Sequence, residues 1–325
     1  MGQSPKQRTV LFDHDGGVDD LLSLMMLLAM PHITLAGVVV TPADCFLRPA
    51  ISATQKILRF FRRQDVELSE GTLHGVNPFP RDWRKHAYAI DALPILNELR
   101  ESGDNTLANP VSEPGHEFLA RKLKESDVPL TVLITGPVSN LAAALTAEPD
   151  LVAKIEEVVW MGGALNVPGN VRDYEHDGSA EWNAYWDPPS TYNLGQSGAP
   201  ITLFPLDATD SVPVTIDFLH RLAQQRRYPL SDLAGQCWAL TVGTIPSYEY
   251  VYHMWDTLTT GYLGASEFMT FRQVQTETMS FGPSAGRIKE VPEGGTLIKA
   301  ADSVDVEGFL NYILELFRSN YWQGN

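Results

Sequence analysis

The chain opens on short apolar runs that end in acids. Residues 9–12 form a run of the length of a strand buried on both faces, and residues 21–30, almost wholly apolar and stopped by Pro31, have the length of a buried helix. Between them stand Asp13, Asp15, Asp19 and Asp20, with Gly16 and Gly17 permitting a tight turn. The pattern then repeats. Residues 33–40 predict a second strand running into Thr41, Pro42, Ala43 and Asp44, residues 50–63 a helix with a basic last turn, and residues 66–69 a short strand. Residues 71–91, with Pro78, Phe79, Pro80 and Trp83, read as a long loop. Residues 117–124 predict a helix and 130–134 a strand, after which Ser139 or Asn140 is placed to cap a helix ending near Ala147. Strands at 157–161 and 201–204 frame an excursion carrying Asn170, Glu181, Trp182 and Asn183, and Asp207 follows the second of them. Helices at 216–225 and 230–242 precede an aromatic segment at 248–255 and then Asp256. Strands at 276–280, 288–291 and 296–299 and a final amphipathic helix at 306–318 complete the chain. This recurring strand-turn-helix theme predicts one α/β domain over residues 1–325, with a mostly parallel central sheet flanked by helices. In such sheets ligands bind at the carboxyl ends of the strands, which is where the acids accumulate.

Charge and composition narrow the partners. With 325 residues the chain is long enough to bury a sizeable core, and its formal net charge of −16 argues against sequence-independent binding to nucleic acid or to anionic lipid. No run reaches the roughly 18–20 apolar residues that cross a bilayer, and the first eight residues are polar, so a soluble cytoplasmic protein is expected. Cys45 and Cys237 form neither a metal-ligand pattern nor a disulfide framework, which suits a reducing compartment.

Four crowded carboxylates repel one another unless a cation or a proton compensates them. Asp15, Asp20 and Asp256 follow separate elements and can meet above the sheet if those elements are neighbours; ligation by oxygen alone favours calcium or magnesium over zinc or a redox metal. The plainer reading is that Asp13 or Asp19 caps a helix. The stretch from Val10 to Gly16 also imitates the aspartyl-nucleophile loop of haloacid-dehalogenase-type phosphatases, although no lysine follows a strand's Ser or Thr as that chemistry needs. An EF-hand is weaker, because Leu24 stands where the loop's closing Glu belongs. Trp83 and Trp255 lie in irregular segments near acids and suit either a core or a stacking site for a flat ligand. His14 reads as structural, and His253 as either structural or a proton carrier.

Taken together, these blocks resemble the calcium-dependent nucleoside hydrolases, which cleave the N-glycosidic bond of ribonucleosides with water. The signature Asp-x-Asp-x-x-x-Asp-Asp is present as Asp13, Asp15, Asp19 and Asp20. Further matching blocks begin at Thr41, Asn77, Thr135, Met161, Gly169, Ala180 and Trp255, so the resemblance runs essentially end to end. It implies that Asp15, Asp20, Asp256 and the Thr135 carbonyl hold calcium, with Asp15 as general base. It further implies that Asp19, Asn170, Glu181, Asn183 and Asp256 grip the ribose and that Met161 packs beneath it. The nonspecific branch of the family carries a histidine just before the last metal-binding aspartate, and here that position is Trp255. With Trp83 and His14, this resembles the purine-specific inosine-adenosine-guanosine-preferring branch, in which two tryptophans sandwich the base. The resemblance places Asp44 near the base, puts Tyr252 in a loop closing over it, and implies a homodimer acting on purine ribonucleosides. Gly17 departs from that branch, which can hold a longer polar side chain there, and His253 is the candidate compensating donor. A phosphatase, or a catalytically silent nucleoside- or calcium-binding protein, are the alternatives.

Overall fold

A computed structural model describes residues 6–99, 104–242 and 251–318. Nine strands form one sheet: β1 Arg8–His14, β2 Ile33–Val40, β3 Leu68–Glu70, β4 Leu130–Ile134, β5 Ile155–Met161, β6 Ile201–Phe204, β7 Met269–Thr278, β8 Ile288–Val291 and β9 Thr296–Val304. Their order is β3-β2-β1-β4-β5-β6-β9-β7-β8. The first six and β9 pair in parallel, and β7 runs antiparallel to both β9 and β8. The run β3-β2-β1-β4-β5-β6 is the doubly wound order, so the chain reverses its direction of travel between β1 and β4. At that switch point the helices diverge to opposite faces and leave a crevice at the strands' carboxyl ends.

Alternation along β1 and β2 sorts the core into two layers, because successive side chains leave opposite faces. Val10, Phe12, Val38 and Val40 pack with the helix α1 Val18–Ala29, the helix α2 Leu47–Phe60 and the helix Trp255–Ala265. Leu11 and Val39 face the other layer, with Phe118 and Leu141 from the helices Gly115–Glu125 and Ser139–Ala147. Every residue of α1 is buried, as its unbroken apolar run requires.

Four local expectations fail. Neither Ser139 nor Asn140 caps its helix: Val138 holds that position without a side-chain bond, Ser139 Oγ donates to Asp187 at 2.5 Å, and Asn140 turns to Asp13 and Thr41. The strand expected at 276–280 is β7, which begins at Met269; its polar Arg272, Gln273 and Gln275 hid the alternation. The helices Pro188–Gln196 and Trp255–Ala265 escaped prediction. The first opens on two prolines, and the second, with Thr257, Thr259, Thr260 and Gly261 all buried, has no polar face to give it a period. The loop expected at 71–91 ends in the short helix His86–Asp91. Of the aromatic segment at 248–255, residues 248–250 lie outside the described residues.

Gly261 sits where this threonine-rich helix meets Phe309, and a Cβ there would run into the Phe309 ring. Phe309 is itself wholly buried, so the ring has nowhere to go. Gly261→Ala should therefore lower unfolding stability by about 1–3 kcal/mol, read as a shift of the urea midpoint; an unchanged midpoint would show that the two helices yield freely.

Candidate active site

Strand register gathers the acids. Asp13 lies beside Ile134 of β4 and Val39 of β2, the Thr135 N–H donates to the Asp13 carbonyl at 3.0 Å, and the Thr41 N–H donates to the His14 carbonyl at 2.7 Å. The ends of β1, β2 and β4 thus form one floor. Gly16 turns the chain above it with φ +79°, and a Cβ there would come within 2.7 Å of Ala50, so both conformation and space call for glycine. Gly136 lies so close to Asp15 that a Cβ would stand 2.8 Å from the Asp15 Cβ, which places Asp15 against the turn after β4.

Asp13 is a buried brace. Its carboxylate accepts from Thr41 Oγ1 at 2.7 Å and from Asn140 Nδ2 at 3.0 Å, and burial lifts its pKa to about 7 against those two bonds. Asp13 and Asp19 do not cap α1; Asp20 reaches back to accept from the Gly17 N–H at 2.8 Å. Asp20 also takes the Thr135 hydroxyl at 2.5 Å and lies 3.4 Å from the Asp15 N–H. Asp19 accepts from the Tyr252 hydroxyl at 2.6 Å and from the Asp256 N–H at 3.2 Å. Carboxylate oxygens of Asp19, Asp20 and Asp256 all lie within 4.8 Å of one another, close enough to hold one cation. Asp15, expected in that set, adjoins it through Asp20, and its second oxygen accepts from the Asp44 N–H at 3.2 Å. The Thr135 carbonyl accepts from Asn183 Nδ2 at 2.9 Å.

Burial, then mutual repulsion, governs the acids. Desolvation raises the pKa of Asp15, Asp44 and Asp256 well above the usual carboxylate range, the negative charges of neighbouring acids add to it, and Asp20 rises to about 6. One Asp44 oxygen is buried without a partner. A wholly oxygen donor set with unrelieved negative charge fits a hard divalent cation.

Of the residues expected to bind ribose, Asn183 reaches this group through the Thr135 carbonyl. Glu181 caps the short helix Trp182–Trp186, accepts backbone N–H groups from Gly163, Asn183 and Ala184, and is pushed by burial to a pKa of about 7. Asn170 accepts from the Trp182 N–H at 3.1 Å, and Met161 touches Asn183 and packs with Ala164, Leu206 and Trp255. Trp83, 38% exposed, stands edge-on to Trp182 at 5.6 Å, with Phe79 beside both. Trp255 stands edge-on to Tyr252 at 4.8 Å. His14 is wholly buried, bonded to Thr54 and stacked on Phe12, and burial depresses its pKa to about 3, as a structural histidine requires. His253, half-buried, lies 5.7 Å from Trp255, with its pKa lowered by burial and Asp210 opposing the fall. Asp207 serves the loop after β5, accepting from the Leu165 and Asn166 N–H groups. Sequence reasoning missed Asn140 as the partner of Asp13 and Asp210 as the partner of Trp255; nothing in local spacing announces a bond across 127 or 45 positions.

If the acids hold a cation, calcium should raise the melting temperature, since a ligand at 100 times its Kd adds about 2.7 kcal/mol. The cation must displace protons, so the shift should grow as the pH rises from acid to neutral. Asp256→Asn should abolish the shift while leaving the cation-free protein no less stable, because one repelling charge is gone. A wild-type melting temperature indifferent to both calcium and magnesium would remove the cation from the site.

Comparisons with known proteins cover most of the chain. The family model described as inosine-uridine preferring nucleoside hydrolase matches residues 10–311. A pyrimidine-specific ribonucleoside hydrolase of Shewanella sp. (strain ANA-3) is 30% identical over 219 residues, covering 66% of this chain and 64% of that protein. The chain therefore matches just under two-thirds of that relative's length. The crystal structure of an inosine-uridine preferring nucleoside hydrolase from Bacillus anthracis superposes with a TM-score of 0.89 at 39% identity, covering 96% of this chain and 99% of that one. A purine-preferring ribonucleoside hydrolase from Gardnerella vaginalis shares the fold, with a TM-score of 0.77 at 22% identity over 96% of this chain and 98% of that one. Among the described residues no helix is long and apolar enough to cross a membrane.

Proposed function

The chain belongs to the inosine-uridine preferring nucleoside hydrolase family, and from that membership we propose that it hydrolyses the N-glycosidic bond of purine ribonucleosides, releasing ribose and free base. The observation that carries this reading is the convergence of Asp19, Asp20 and Asp256 at the carboxyl edge of the sheet, with Trp255 immediately before Asp256. Asp15, Asp20, Asp256 and the Thr135 carbonyl are the proposed calcium ligands, and a bound calcium would make a neighbouring water a stronger acid. Asp15 is the proposed general base. Asp19, Asn170, Glu181, Asn183 and Asp256 bind the sugar hydroxyls, and Met161 lies beneath the ring. Glycosidic cleavage develops oxocarbenium character, and fixed donors and acceptors around the sugar stabilise it selectively. Trp83 and Trp255 stack the base, with Asp44 and Tyr252 beside it. The proposed working form is a cytoplasmic homodimer.

The pyrimidine-specific relatives favour the opposite base preference, and Trp255 is the feature that favours purines. The phosphatase alternative would need Asp13 free to attack phosphorus, yet it is 1% exposed and bonded to Thr41 and Asn140.

A reducing-sugar assay on inosine, guanosine, adenosine and uridine decides among these. Asp15→Asn should lower kcat by about 10²–10⁴-fold, the usual contribution of a general base. Trp255→Ala should lower kcat/KM on inosine by about 5–150-fold, the equivalent of one lost base stack, and change uridine far less. Faster turnover of uridine than of inosine would assign the chain to pyrimidines, and binding without sugar release would make it a silent binding protein.

A further inference from the structure

We propose that Asp210 is a positioning residue that fixes the plane of the Trp255 indole and so sets how well the site discriminates between bases. This rests on the stacking role assigned to Trp255 above. The indole N–H is a donor with no acceptor capacity, and in this site it donates to Asp210 Oδ1 at 2.8 Å. Asp210 follows directly on the short helix Leu206–Thr209, and its own N–H is tied to the Leu206 carbonyl at 3.0 Å. Its carboxylate is therefore carried on a fixed backbone. Just beyond it the two segments that flank the site are fastened together. The Val214 N–H donates to the Tyr252 carbonyl at 2.8 Å, the Met254 N–H donates to the Val212 carbonyl at 2.9 Å, and Pro213 bridges His253 between them.

This backbone clamp fixes where Trp255 enters the site, but it leaves the ring's own torsions free. Trp255 is only partly buried, resting on Met161, Ala164 and Leu206 along one side. A bond from its outer edge to a charged acceptor removes that freedom, and bonds to a charged partner are the stronger kind. Stacking on a base demands a defined plane, so loss of the anchor should weaken stacking without removing the ring.

The test is a cycle of variants: Asp210→Ala, Asp210→Asn, Trp255→Phe and the double variant Asp210→Ala/Trp255→Phe, with Trp255→Ala as control. Each is assayed for kcat and KM on inosine and uridine and recorded by near-ultraviolet circular dichroism. Asp210→Ala should reduce kcat/KM on inosine roughly tenfold, with uridine little changed, and should alter the tryptophan dichroism. Asp210→Asn keeps an acceptor oxygen and should recover most of the loss. Phenylalanine has no N–H, so adding Asp210→Ala to Trp255→Phe should cost nothing further. An equal loss from Asp210→Ala in the Trp255→Phe background would overturn the proposal, as would unchanged kinetics and dichroism in the single variant. If Trp255→Ala leaves inosine turnover intact, the stacking reading fails and this proposal with it. If that variant is crippled and Asp210→Ala is not, only the positioning role fails.

Discussion

Buried negative charge is the constraint around which this molecule is built. Asp13, Asp15, Asp19, Asp20 and Asp256 are each at most 6% exposed, and no cationic side chain is hydrogen-bonded to any of them among the described residues. Desolvating a carboxylate costs several kcal/mol unless bonds or opposite charge compensate it. The fold supplies compensation in layers: hydroxyls from Thr41, Thr135 and Tyr252, the Asn140 amide, and N–H groups from Gly17, Asp44 and Asp256. What these leave over is met by protons held above the ordinary carboxylate range, or by a cation that displaces them.

Helix placement supplies a further share. Asp19 and Asp20 lie in the first turn of α1, and Asp256 lies in the first turn of Trp255–Ala265. The positive ends of both helix dipoles therefore face the same cluster, each offsetting roughly 0.3–1 kcal/mol. The bond from the Asp256 N–H to Asp19 ties one helix start to the other across 237 positions. Withdrawing the second helix would take from Asp19 the Asp256 N–H that it accepts. This explains why a helix with no amphipathic pattern is held so firmly in the core: its place is set at its N-terminus by electrostatics and along its length by close packing of Gly261 on Phe309.

The half of the site built from local sequence was legible, and the half built from contacts between distant segments was not. The strand, turn and helix around Asp13 to Asp20 announce themselves through an apolar run, two glycines and a second apolar run, and β2, β4, β6 and β8 fall where their branched residues predict. Acids that follow strands could be assigned to the carboxyl edge before any pairing was known. The cap expected from Ser139 or Asn140 failed because those side chains answer demands from Asp187 and Asp13, partners 48 and 127 positions away. Asp210 was invisible for the same reason. Side-chain bonds between distant segments leave no period behind, so sequence patterns find the acids without finding what holds them.

Burial also divides the site into a part that resists substitution and a part that tolerates it. Asp13, Asp19, Asp20 and Glu181 are each enclosed by donors aimed at them, so an exchange there leaves buried N–H or O–H groups without an acceptor, at roughly 1–3 kcal/mol apiece. Glu181 alone satisfies three backbone donors. By contrast, Trp83 is 38% exposed and Trp255 is partly so, while Asp210 lies open to solvent. Residues there can change without orphaning a buried group. Under the proposed roles, the residues that would meet the base are the ones solvent leaves free to change, whereas the acids lie where packing forbids it.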